Sequence, residues 1–146
     1  MEKTMSKRII YENANGGVSV IIPSQEYLIN CSIEQLAQKD VPAGASFKIV
    51  DVSEIPSDRL FRDAWVINGE KVDHDITKAK DIAHSMRRES RAKEFLPLDV
   101  EATVPSKASA AETARQAIRE KYAVMQTNID GSKTIESLKT AVQANL

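Results

Sequence analysis

The feature that most constrains this chain is where its glycines fall: four of the five lie before residue 72, and only Gly131 lies beyond it. Glycine accepts positive φ without steric cost, so tight reversals gather where glycine does. That first stretch also holds two Asn-Gly pairs, Asn15-Gly16 and Asn68-Gly69, each set between β-branched runs. Such pairs are strong hairpin signals. After about residue 72 the turn residues thin out and apolar residues recur at helical spacing. The chain is therefore read as α+β, with a small β-hairpin-rich head over residues 1–72 followed by a helical hairpin over residues 73–146.

Within the head, Arg8-Ile9-Ile10-Tyr11 and Val18-Ser19-Val20-Ile21-Ile22 are expected to pair, with Asn15-Gly16 supplying positive φ in the turn. Pro23 ends the second strand because it cannot donate to the ladder. Ser32 and Gln35 have capping-box spacing and predict a short helix that buries Ile33, Leu36 and Ala37. Lys39 to Gly44 reads as a turn and Phe47 to Val52 as a third strand. Arg59 to Trp65 predicts one or two helical turns started by Ser57 or Asp58, with Phe61 and Trp65 on one face. Val66 to Val72 predicts a second tight hairpin around Asn68-Gly69.

In the extension, Asp73 or Asp75 is expected to cap a helix from Ile76 to about Phe95. Its apolar stripe runs through Ile76, Ala79, Ala83 and Met86, then decays into Ser90 and Lys93. The far end is thus left to solvent or to something outside the chain. Pro97 predicts a kink or stop near Phe95. A second helix is expected from near Ser106 through Ala114, Ile118, Tyr122 and Met125, with a break at Asp130-Gly131-Ser132. Thr134 then caps a short terminal helix containing Ile135, Leu138 and Val142.

Several classes of function are disfavoured. The 20 basic and 21 acidic residues give a net charge of −1, no footprint for a polyanion. Aromatic residues make up only 5%, too few for base stacking to be a main activity, so nucleic acid is not the expected partner. Cys31 is the single cysteine, which excludes an internal disulfide and a cysteine-rich zinc site. His74 and His84 are ten residues apart, roughly 15 Å along a helix, too far to share a metal ion. Asp73, His74 and Asp75 form the one dense acidic cluster, and the helix macrodipole accounts for acids at that place. Neither a phosphate-cradling loop nor a serine elbow is present. No apolar run approaches membrane-spanning length, and the polar residues after Met1 lack the apolar segment of a signal peptide. The expectation is a soluble, non-enzymatic protein with no catalytic residues, cofactor or metal.

What remains is binding. Phe61 and Trp65 are read either as the plug of a small core or as an exposed anchor flanked by Arg59 and Arg62, residue types common at interface hot spots. Arg87, Arg88 and Arg91 lie in the densest basic run, read as a solvated face or a contact for an acidic partner.

The motifs taken together resemble a family of small, uncharacterised proteins of tailed phages and prophages encoded near tail-fibre genes. The resemblance rests on the Gly16-Gly17 hairpin, Asp40-Val41-Pro42-Ala43-Gly44, Phe47-Lys48-Ile49-Val50, and above all Ile55-Pro56-Ser57-Asp58-Arg59 with Phe61-Arg62-Asp63-Ala64-Trp65. It continues through Ala79-Lys80-Asp81-Ile82, Leu98-Asp99-Val100-Glu101, Gln116-Ala117-Ile118-Arg119 and Thr134-Ile135-Glu136-Ser137-Leu138-Lys139. Pro97 and Pro105 depart from the continuous helix expected of relatives. The resemblance implies a phage protein, and the expectation built on it is a tail-associated or virion structural protein, in the virion or the host cytoplasm, whose head docks on other phage structural or tail-fibre proteins and whose helices self-associate or contact a fibre. A non-virion chaperone for fibre assembly and a small inhibitor of a host defence protein are the alternatives it leaves open.

Overall fold

The computed structural model describes residues 6–144, and the fold is α+β. The chain divides into two compact units, Met1–Asp75 and Ile76–Leu146. The first contains β1 (Lys7–Glu12), β2 (Val18–Ile21), α1 (Gln25–Asn30), α2 (Ile33–Asp40), β3 (Phe47–Asp51), β4 (Trp65–Asn68) and β5 (Lys71–His74). The second contains α3 (Ile76–Glu101), α4 (Ala108–Gly131) and α5 (Ile135–Gln143). The end of β5 at His74 carries the first unit past residue 72.

In the first unit β1 is the central strand of an antiparallel sheet ordered β2-β1-β3, and β4 and β5 form a separate hairpin. Successive strand side chains point to opposite faces, and both Ile9 and Ile10 are fully buried. Ile9 packs with Ile33, Leu36, Ala37 and Val41, so α2 covers one face. Ile10 packs with Val18, Val50, Trp65 and Val72, so the β4–β5 hairpin covers the other. Each such side chain contributes about 1.5–3 kcal/mol on burial. A one-residue slip of β1 would exchange the two sets.

The turns differ in detail from the Asn-Gly expectation. In the first, Gly16 alone takes positive φ (81°), and Asn15 does not. Gly16 N–H donates to Asn13 O, Asn13 N–H donates to Gly17 O, and the Asn13 carboxamide accepts from Asn15 and Gly17 N–H. The loop is therefore a type I turn followed by a left-handed glycine, one residue longer than a tight two-residue turn. In the second hairpin Asn68 pairs with Lys71, so the turn residues are Gly69 and Glu70. Gly69 has φ 65° and Glu70 is not positive, the pattern of a type II′ turn.

Ser32 caps α2 through both bonds of a capping box with Gln35. Helix α1, capped by Ser24, was not expected; none of its residues is fully buried, and only Tyr27 and Leu28 pack against the core. The Arg59–Trp65 expectation is corrected. Asp58 Oδ1 accepts from Leu60 N–H, a 3-10 turn spans Arg62–Ala64, and Trp65 begins β4 paired to His74. The turn that Asp58 starts goes no further because Trp65 is held in the strand ladder opposite His74.

In the second unit α3 and α4 are antiparallel and α5 packs on both. The core is Ala79 and Ala83 from α3, Ala111, Tyr122, Met125 and Ile129 from α4, and Leu138, Ala141 and Val142 from α5. Thr134 caps α5 with a capping box to Ser137. Asp73 is not the cap of α3: it lies in β5, and Oδ1 accepts from His74 N–H.

The stop near Phe95 is also corrected, because α3 continues through Pro97 to Glu101. Proline removes one helical hydrogen bond, but α4 grips the helix on both sides of it. Lys121 Nζ donates to Glu94 at 2.7 Å, and Arg115 pairs with Asp99 at 3.2 Å. The break falls instead at residues 102–107, and α4 begins at Ala108 rather than near Ser106. It runs on through Asp130 and Gly131, ending where Ser132 N–H donates to Ile129 O.

Candidate functional site

The sequence-derived candidates fall into one cluster in each unit. In the first, Phe61 and Trp65 are 2% and 1% exposed, which places both in the core. The exposed-anchor reading of these two residues is therefore replaced by the core-plug reading. With Val72 of the same hairpin, Trp65 closes the face of the sheet formed by Ile10, Val18 and Val50.

Both arginines attend this tryptophan. The Arg62 guanidinium lies 4.2 Å from the ring centroid and that of Arg59 lies 5.6 Å away. Arg62 Nη2 also donates to Val18 O at 2.6 Å, fastening the 3-10 turn to the edge strand β2. Burial, then the like charge of Arg59, draw the Arg62 pKa below the usual arginine range. Arg62 thus serves packing, and Arg59 is the exposed member of the four. The indole Nε1 is buried without a hydrogen-bond partner among the described residues, a cost of about 1–3 kcal/mol.

In the second unit Arg87, Arg88 and Arg91 diverge in role. Arg87 is half-buried, and its Nε donates to His84 Nδ1 at 3.3 Å. That bond requires Nδ1 to be unprotonated, so His84 Nε2–H points at Asp130 Oδ1, 2.7 Å away. Burial and the neighbouring Arg88 and Arg91 lower the Arg87 pKa, and Asp130 opposes them. Arg88 is exposed, and its guanidinium donates to Ser85 Oγ at 3.4 Å. Arg91 stacks on Phe95 at 4.7 Å, while Arg119 from α4 approaches the same ring at 6.0 Å.

These contacts belong to a polar ladder between α3 and α4 whose rungs are His84–Asp130, Glu94–Lys121 and Asp99–Arg115. As numbering rises on α3 it falls on α4, so the ladder sets the antiparallel register. Tyr122 lies under it: burial, then a hydrogen bond to Glu94, push its pKa up to about 12. Arg87 and Arg91 are thereby largely absorbed within the unit. Arg88 is left facing solvent.

The far end of α3, expected to be left to solvent or to something outside the chain, carries an apolar surface to which the sequence reading assigned no site residue. Leu96 is 68% exposed, Val100 64% and Val104 39%, all at the Pro97 end of α3 and just beyond. Leu96 and Val100 are four residues apart and share a helix face. The signal was present in the spacing but was obscured by the charged residues set among the apolar ones.

A shallow groove of about 400 Å³ in the first unit is lined by Lys7, Asp51, Glu54 and Lys71 among others. Among the described residues no three His, Cys, Asp or Glu side chains gather in a way that could hold a metal ion, and no helix is long and apolar enough to cross a membrane. No family model matches the chain, and no curated protein or solved structure matches it.

Proposed function

We propose that this chain is a phage tail-associated or virion structural protein that acts by binding other proteins. The observation that carries the binding reading is the exposed aliphatic end of α3, where Leu96 and Val100 stand well clear of the core. Neighbouring apolar side chains on a solvent-facing helix cost free energy in water, and covering them by a partner recovers it. The phage setting is supported by the resemblance of the Ile55–Trp65 block and its flanking motifs to the tailed-phage family. Arg88, exposed on the same helix, adds a charge-assisted contact for an acidic side chain.

Mass spectrometry of purified virions tests the setting. The chain is expected in the particle in fixed ratio to tail proteins, and its absence from intact particles would overturn the reading. Recovery with tail-fibre protein from lysates, together with absence from particles, would identify an assembly chaperone instead.

A further inference from the structure

The outward side of α3 carries a row of residues that the core of the second unit leaves incomplete. Ile82, Met86, Glu89, Lys93, Leu96 and Val100 succeed one another at spacings of four, three, four, three and four. At 3.6 residues per turn these positions occupy an arc of about 80°. Their 3.5-residue period is that of a helix–helix seam. Ile82 and Met86 are half-buried, whereas Leu96 and Val100 are 68% and 64% exposed. Between them Glu89 and Lys93 are 70% and 75% exposed and pair at 3.5 Å within the helix.

The row reads alike from either end: two aliphatic residues, an acid and a base, two aliphatic residues. A surface of this kind is complementary to itself when inverted. Turned about a two-fold axis midway between positions 89 and 93, a second α3 sets Val100 opposite Ile82, Leu96 opposite Met86 and Lys93 opposite Glu89. In a two-fold interface each pairing occurs twice. A parallel partner would instead set Glu89 on Glu89 and Lys93 on Lys93, like charges in a partly desolvated seam. The charged layer therefore selects both orientation and register, as polar seam positions do in coiled coils.

We propose that a second copy of this chain covers the outward face of α3, forming an antiparallel two-fold homodimer through this row. The proposal rests on the protein-binding reading above and names the occupant of the surface that carries it. The exposed aliphatic half of each helix seats against the half-buried aliphatic half of the other. A partner of different sequence would have to reproduce the order aliphatic, base, acid, aliphatic; a second copy has it already.

Sedimentation velocity of the full chain over a range of concentrations tests this, with far-UV circular dichroism to verify folding. The wild type is expected to dimerise. Glu89→Lys and Lys93→Glu each place like charges across the seam and should weaken dimerisation by about tenfold or more. The double variant E89K/K93E restores opposite charges in the antiparallel arrangement and should recover the wild-type constant. Leu96→Glu provides an independent route to the monomer, since it puts a charge in the aliphatic layer without touching the ion pairs. A wild type that remains monomeric at the highest attainable concentration overturns the proposal, as does a dimer indifferent to both single charge reversals or one not rescued by the double. A monomer found in virions would overturn the second copy and leave the binding reading intact. A dimer absent from virions would keep the second copy and overturn the virion setting.

Discussion

The two units solve the problem of a small core in different ways. The first buries Trp65 and Phe61 together with the adjacent Ile9 and Ile10, and covers both faces of its sheet. The second lines much of its helix contacts with alanine, at Ala79, Ala83, Ala111 and Ala141, and holds register with polar rungs. Alanine permits close helix approach but removes little apolar surface from water. The short α5 adds Leu138 and Val142, yet Leu96 and Val100 remain outside. Both units leave aliphatic side chains in water, Ile22 and Ile29 in the first and Leu96, Val100 and Val124 in the second, but in the second Leu96 and Val100 stand one turn apart on a single helix.

The sharpest way to break this contrast is Trp65→Ala. Losing the largest buried side chain costs about 3–5 kcal/mol, comparable to the total stability of a small unit. The first unit should lose its amide dispersion in NMR spectra while the helical signals persist; joint collapse of both sets would show that the contrast is misplaced. Met125→Ala, at the centre of the helical core, should cost about 2–5 kcal/mol. Its effect should appear in the helical signals first, read by urea unfolding.

Smaller effects separate the units more finely. Ser32→Ala and Thr134→Ala each remove a capping hydroxyl and should cost about 1 kcal/mol, the former read in the first unit and the latter in the second. The smallest expected effect is on pH dependence. A hydrogen bond from Lys121, then one from Tyr122, hold the Glu94 pKa below its ordinary value. A group with a depressed folded pKa contributes stability above its unfolded pKa and loses it as pH falls through the folded one. Stability of the second unit should thus decline as pH drops below about 4.3, the ordinary glutamate value, and Glu94→Gln should flatten part of that decline in acid titrations of helicity.

Much of this was legible in the sequence. The hairpins announced themselves through glycine and β-branched runs, and the Ser32 and Thr134 caps through hydroxyl spacing. Helix α1 was hidden because it spans only six residues and puts just Tyr27 and Leu28, both half-buried, against the core. The course of α3 through Pro97 was hidden because the rungs that hold it lie on another helix, at Lys121 and Arg115. Arg59 to Trp65 looked helical by local pattern, but the partner that makes Trp65 a strand residue, His74, is set by tertiary pairing. The far end of α3 was legible as a surface left to solvent or an outside partner, but the continuity of its apolar row was not, because Glu89 and Lys93 interrupt it.

Disulfide trapping tests the central claim most directly. Within one chain, positions 82 and 100 are about 27 Å apart along the helix, far beyond the reach of a disulfide. In a Cys31→Ser background, Ile82→Cys/Val100→Cys should give a covalent dimer on mild oxidation, whereas Ile82→Cys alone should remain monomeric. Failure of the double variant to cross-link, or efficient cross-linking by Ile82→Cys alone, would contradict the antiparallel pairing of α3.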